Sequence, residues 1–314
     1  MISPRLEALA WFKLANSRGI GSKKLWVLAD YLSREHKDAQ WVMERIQSGG
    51  DLPPQLASKL SLSDQIGNQE SLYEEFESLE QKRITVLHPL NSEFPEKLSR
   101  FKGEHSLPGL LYVSGSLSLL RQRSVSIVGS RNADERCLEL TRKLARNLAN
   151  EGINVISGYA RGIDFAAHLE SLKCGGTTTI VLSEGIAKFA HKVEIRSLVT
   201  PSNTAVVSQF SPGARWAAHN AMARNKLVVA LSDAIVIVTS GPERDESNRM
   251  SGTFDAGISA QQMHIPTFVV SPSWFTEAPI GNRDLIMRGC TAWDPNSGVQ
   301  PITAALEQRP LRLF

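Results

Sequence analysis

The sequence predicts an α/β protein, with a doubly wound, mostly parallel sheet preceded by a small helical unit. From Ser124 onward, short uninterrupted apolar runs alternate with helix-period segments, the pattern of strands buried on both faces. Glycines such as Gly129 and Gly158 stand where strand gives way to helix. The chain up to about Ser61 carries helical spacing only.

In order, Leu6, Leu9, Ala10, Phe12 and Leu14 define an apolar helix that stops near Ser17-Arg18-Gly19. A second runs from Ser22 through Leu25, Trp26, Leu28, Ala29 and Leu32. The intervening Gly19-Ile20-Gly21 has two readings. It resembles the hairpin of helix-hairpin-helix or SAM-like modules, whose amides can face a phosphate, and it also fits a plain helix–helix turn. Glu70 to Gln81 reads as a glutamate-rich helix with a solvated face. Ile84–Leu87 and Leu110–Val113 read as short strands among turns bearing Pro89, Pro95 and Pro108. The buried strands are then Ser124–Val128, Asn154–Ile156, Thr179–Leu182, Ala205–Val207, Ala234–Val238 and Thr267–Val270. The first is followed by a helix carrying Leu138, Leu140, Leu144, Ala145 and Leu148, and later helices start near Ile163, His191, Asn220 and Gly252. The expected organisation is a helical domain over 1–65, a connecting segment that begins the sheet over 66–123, and the main sheet domain over 124–314.

Hydrophobic content of 42% and charged content of 21% suit a globular protein with a sizeable core. The net charge of +3 permits a polyanionic partner without demanding one, so that case rests on local charge placement. Cys137, Cys174 and Cys290 form no CxxC, which excludes a disulfide framework or zinc site and fits a reducing cytoplasm. Met1 to Glu7 lacks the basic segment and apolar run of a secretory signal. The most apolar stretch, Leu227 to Val238, is interrupted by Ser232 and Asp233 and is too short to span a bilayer. A cytoplasmic protein without membrane contact is expected.

Ligands of such sheets bind beyond the carboxyl ends of the strands, and three of these ends are unusual. Gly129-Ser130-Arg131-Asn132 closes a buried strand, so its amides would face an anion at a helix start and Arg131 would add a guanidinium fork. The alternative is an ordinary turn glycine with a solvent-facing arginine. It is neither GxGxxG nor a Walker loop, so no dinucleotide or ATP is expected. Gly158, Arg161 and Gly162 lie in a second such turn, before Asp164 and His168 on one helix face. The pair has two readings, a metal or acid–base pair, or a favourable first-turn acid with His168 as its hydrogen-bonded neighbour, and the second is favoured because no third metal ligand has suitable spacing. Arg224, Asn225 and Lys226 form a third group, with Ser251, Gly252 and Thr253 at a later helix start. Their hydroxyls would cap the helix or hold a phosphate oxygen, while Arg224 and Lys226 suit a phosphate or a solvated helix face. Together, Arg131, Arg161, Arg224 and Lys226 would gather at one sheet edge.

These residues resemble the DprA/Smf (DNA-processing protein A) family. The resemblance is carried by Val128-Gly129-Ser130-Arg131, by Ser157 to His168, by Gly175 to Leu182, by Arg224-Asn225-Lys226 with Leu231-Ser232, and by Ser251-Gly252-Thr253. Phe94-Pro95, Pro108 to Gly115 and Gly19-Ile20-Gly21 also fit, so most of the chain is covered in the right order. The resemblance implies an extended Rossmann-like domain behind a SAM-like one. It further implies single-stranded DNA held in a basic pocket, a homodimer, and loading of a RecA-type recombinase during DNA uptake, with no cofactor. A DprA-like antitoxin or regulator, acting on a cognate toxin in an antiphage locus, is a second role the resemblance allows. The chain departs from the family pattern at Ser208-Gln209 in place of Ser-Glu and at Phe189-Ala190 in place of Tyr-Pro. The charged insertion Pro242 to Arg249 is longer than expected, and too little sequence follows Val270 for a winged helix.

The competing class is a nucleotide hydrolase of the LOG type, with a Gly-Gly-x-Gly-Thr-x-x-Glu motif. Here Gly252-Thr253 is present, but Ala256 stands at the carboxylate position and Asp255 is out of register. No nucleophile–base pairing is evident, so a binding protein without catalytic residues is expected. Trp216 and Phe189 are the aromatic side chains nearest the motifs for base stacking.

Overall fold

A computed structural model describes residues 3–48, 50–60, 69–102, 104 and 107–307. The chain opens with α1 (Pro4–Ala15), α2 (Ser22–Arg34), α3 (Ala39–Gln47), α4 (Pro54–Leu60) and α5 (Gln69–Gln81). Pro4 suits the start of α1, where its missing N–H has no intrahelical partner to lose. The α1–α2 turn passes through Gly19 at φ +83°, and α3 is capped by Asp38, which accepts from Trp41 N. Helix α5 is less solvated than its glutamates suggest. Phe76 and Leu79 are buried, and the Phe76 ring packs on Phe12 of α1 with centroids 5.7 Å apart.

The sheet follows: β1 (Ile84–Leu87), α6 (Glu96–Ser99), β2 (Leu111–Gly115), β3 (Ser124–Val128), α7 (Glu135–Asn150), β4 (Asn154–Ser157), α8 (Ile163–Lys173) and β5 (Thr178–Val181). Then come α9 (Val193–Arg196), β6 (Thr204–Ser208), α10 (Ala218–Ala230), β7 (Ala234–Ile237), α11 (Gly252–Gln262), β8 (Thr267–Val270), α12 (Ile280–Met287), β9 (Thr291–Trp293) and α13 (Gln300–Glu307). The strands form one sheet in the order β1-β2-β6-β5-β4-β3-β7-β8-β9. β2 runs antiparallel to β1 and β6, and every other pairing is parallel. The helix expected from His191 shrinks to the single turn of α9, and β9 is an edge strand the apolar pattern did not reveal.

Both faces are covered. Leu140, Leu144 and Leu148 of α7 pack with Val125, Ile127, Val155 and Val236 on one side. Leu227 to Leu231 of α10 and its C-terminus pack with Phe254 of α11 against Val128, Ile156, Val207 and Ile237 on the other. The N-terminal helices join the sheet's antiparallel end, where Trp11, Phe12 and Leu14 share a cluster with Val86, Tyr112 and Val206. Trp26 reaches further, donating from Nε1 to the Pro108 carbonyl at 3.1 Å. Among the described residues no helix is long and apolar enough to cross a membrane. Strand order departs from β3 in both directions, through β4 and through β7, so a crevice opens beyond the carboxyl ends of these neighbours.

Candidate nucleic-acid interface

That crevice holds a cleft of about 590 Å³, walled by the exit of β3, the start of α8, the first two turns of α10 and the start of α11. A second cleft of about 440 Å³ lies beside it, under the exits of β4 and β5. Arg131, Ala160, Trp216 and Arg224 line both and form the wall between them.

The turn after β3 is fixed by close packing. A Cβ on Gly129 would lie 2.7 Å from Ile163 Cγ1, so glycine lets the α8 N-terminus close on the strand end. Ser130 N donates to the Thr239 carbonyl at 3.0 Å and Ser130 Oγ accepts from Asn132 N at 3.1 Å, which leaves Arg131 exposed at the cleft. Across from it, Arg161 donates to the Asn132 side-chain oxygen. Gly162, at φ +85°, abuts the Ser130 carbonyl, where a Cβ would meet the oxygen at 2.6 Å.

Arg224 is the most constrained cation of the site, with its side chain 5% exposed. Its guanidinium lies over Gly158, where a Cβ would come within 1.0 Å of Nη1. Its nearest charge partner is loose, with Nη1 3.8 Å from Asp164 Oδ2, and Nε has no hydrogen-bond partner. Burial pushes the Asp164 carboxyl up, against the pull of Arg224, and burial likewise pulls the Arg224 guanidinium down. Two charges are therefore held in a dry place without the short, saturated contact that would neutralise them.

Asn225 Nδ2 donates to the Gly252 carbonyl at 2.9 Å, joining α10 to the first turn of α11, and Ser251 Oγ caps that helix by accepting from Phe254 N at 3.3 Å. Gly129, Ser130, Arg131, Arg224, Asn225, Ser251, Gly252 and Thr253 thus meet in the first cleft, with Gly158 and Arg161 in the second. Gly162 and Lys226 line neither. Burial pushes the Asp255 carboxyl up, against the pull of the Lys226 charge. Asp164 and His168 share a helix face without bonding to each other. His168 Nδ1 meets Thr178 Oγ1 at 2.6 Å, and because that hydroxyl donates to the Val155 carbonyl, the imidazole donates to it. Burial holds His168 neutral, its pKa pushed down to about 3. No group of three or more potential metal ligands occurs among the described residues.

The structure adds cations that the strand-end motifs did not include. Lys188 and Lys192 line the second cleft, and Lys192 Nζ stands 4.8 Å from the Tyr159 ring and 4.2 Å from Phe165. Their signal was positional, since Lys188 to Lys192 follow a parallel strand at its carboxyl end. Trp216 is 54% exposed at the shared wall, whereas Phe189 packs edge-on against Tyr159 at 5.5 Å.

Fold and site together define a doubly wound α/β protein with a cation-lined cleft at the switch point of its sheet. The family model for DNA recombination-mediator protein A matches residues 85–302, and the chain belongs to that family. The DNA processing protein DprA of Streptococcus pneumoniae is 32% identical over 201 residues, which cover 64% of this chain and 67% of that protein. The chain spans less than half the length of several other relatives it matches, including protein Smf of Synechocystis and of Escherichia coli. The solved pneumococcal DprA structure superposes with a TM-score of 0.69 at 23% identity, covering 92% of this chain and 95% of that one. DprA of Helicobacter pylori, whose structure concerns its own single-stranded DNA binding mode, gives a TM-score of 0.55 at 24% identity over 71% of this chain and 96% of that one. Both likenesses bear on the fold.

Proposed function

We propose that this protein binds single-stranded DNA across the paired clefts, gripping phosphates without chemistry on them, and passes the strand, as a homodimer, to a RecA-type recombinase. The observation that carries the binding step is Arg224, a buried guanidinium with an unfilled Nε donor, flanked by exposed Arg131 on the wall common to both clefts. A buried cation is costly unless charge-assisted partners satisfy it, and a phosphate oxygen supplies the partner that Asp164 at 3.8 Å does not. Trp216, exposed beside the arginines, offers a face on which a base can stack whatever its identity. Asp255 supports binding over hydrolysis, because it lines neither cleft and so places no carboxylate beside the arginines.

The test is fluorescence anisotropy with labelled single-stranded and duplex DNA at two salt concentrations. The wild type should prefer the single strand, with affinity falling as salt rises. Arg131→Ala should weaken binding of every sequence roughly tenfold and flatten the log–log salt slope by about 0.7, the value of one single-strand phosphate contact. A slope unchanged in that variant would remove Arg131 from the interface.

A further inference from the structure

The hairpin between β7 and α11 carries an arginine, Arg249, that its fold does not require. Arg244 and Met250 pair as an isolated bridge, Arg244 Nη1 donates to the Asn248 carbonyl at 3.0 Å, and Asn248 turns the chain at φ +59°. Asp245 closes the loop, accepting from Ser247 N and Arg249 N at 2.9 Å and from Arg249 Nε at 3.0 Å. These contacts, led by the Arg249 backbone N–H, hold the Asp245 carboxyl below its ordinary range, so it is ionised at neutral pH. The base of the hairpin is also tied down. Ser251 N donates to the Glu243 carbonyl at 3.0 Å, and the Glu243 carboxylate pairs with Arg288, which stacks over Phe254.

We propose that this hairpin delivers a further phosphate-binding arginine, Arg249, to the first cleft, with Asp245 as its positioning residue. The inference rests on the single-strand reading above. Asp245, Arg249 and Met250 line the same cleft as Arg131 and Arg224. The Arg249 side chain is 78% exposed, and an exposed i,i+4 ion pair contributes little to stability, so the fold does not account for it. Its Nε edge faces Asp245 Oδ2, with Nη2 at 2.9 Å, while a guanidinium has five N–H donors in a fixed plane. Held along one edge, the fork is oriented before a ligand arrives, and its remaining donors stay open to a phosphate. Arg224 and Arg249 thus differ in kind: one is mostly buried in the wall shared by both clefts, the other presented from the hairpin.

The experiment repeats the single-strand salt titration on the full chain with Arg249→Ala, Arg249→Lys and, as a charge control away from both clefts, Lys143→Ala on exposed α7 surface. Arg249→Ala should lower affinity roughly 3- to 10-fold at low salt and reduce the salt slope by about 0.7. Arg249→Lys should restore the slope while recovering only part of the affinity, because lysine keeps the charge and loses the fork. Lys143→Ala should match the wild type. A wild-type slope in Arg249→Ala, or a lysine variant no better than alanine, would reduce the hairpin to a structural loop. If Arg131→Ala weakens binding while Arg249→Ala does not, this inference alone falls. If the wild type shows no salt-dependent binding, the single-strand reading falls and this one with it.

Discussion

Two enclosed cation–carboxylate pairs lie at opposite ends of the sheet. At the amino ends of β3 and β7, Lys97 Nζ donates to Asp233 at 2.6 Å, to Ser124 Oγ at 2.8 Å and to the Gln122 carbonyl at 2.8 Å. Asp233 also accepts from Ser124 N at 2.9 Å. At the carboxyl ends, Arg224 and Asp164 stand 3.8 Å apart and Arg224 Nε has no partner. The ammonium of Lys97 on α6 has its three donors spent on Gln122 just before β3, Ser124 of β3 and Asp233 just before β7, and so acts as a staple. The guanidinium at the second is equally enclosed, yet keeps capacity in reserve. Two sites of similar burial are thus separated by saturation, and the unsaturated one opens on a cleft.

Substitution can test that contrast. The largest effect should follow Lys97→Met, which strips Asp233 and Ser124 of their shared donor and should cost about 3–5 kcal/mol in urea denaturation. Single-strand affinity should stay unchanged in the same variant. Arg224→Met should cost less, about 1–3 kcal/mol, because the Asp164 carboxyl is already pushed up by burial and can take a proton once the arginine is gone. The sign of the pH dependence follows. A carboxyl with a raised folded pKa contributes stability that is complete below its unfolded value near 3.8 and is lost as pH rises through the folded value. Removing Arg224 raises that folded value further, so the variant should be more destabilised at pH 8 than at pH 5. Equal costs for Lys97→Met and Arg224→Met, with binding intact in both, would make Arg224 a second staple and end the contrast. The smallest effect on stability belongs to Gly158→Ala, whose methyl overlaps the enclosed Arg224 guanidinium and forces it aside, at about 1–2 kcal/mol. That variant keeps the charge but displaces it, and anisotropy should read roughly a fivefold loss of affinity. Unchanged affinity would show that the position of the guanidinium is immaterial.

The buried parallel strands were legible because strands covered on both faces are written as apolar runs, and Ser124–Val128 and Thr267–Val270 match their runs residue for residue. β9 was not legible: it has three residues, two of them exposed, on the sheet's edge. Helix α5 misled through composition, since its glutamates outnumber the Phe76 and Leu79 that anchor it. At the site, glycines and arginines at strand ends revealed the place but not the roles. Arg224 read equally as pocket cation or solvated surface, because burial depends on Gly158 making room from another turn. Lys226, two residues on, lines neither cleft, a choice of helix face that spacing to the neighbouring strands did not settle. Asp164 and His168 have the right i,i+4 relation, yet each found a stronger partner outside the helix, Arg224 for one and Thr178 for the other.

The overlap between Gly158 and the Arg224 guanidinium also constrains the history of the chain. Any side chain at 158 would occupy the volume the arginine fills, although the two positions lie on different elements. Drift at one is therefore conditional on the other. Related sequences that keep an arginine in this α10 position should keep glycine at the β4 exit, and those that lose the arginine should be free to vary there. The pair would then appear in an alignment as a linked column, written by steric exclusion rather than by attraction.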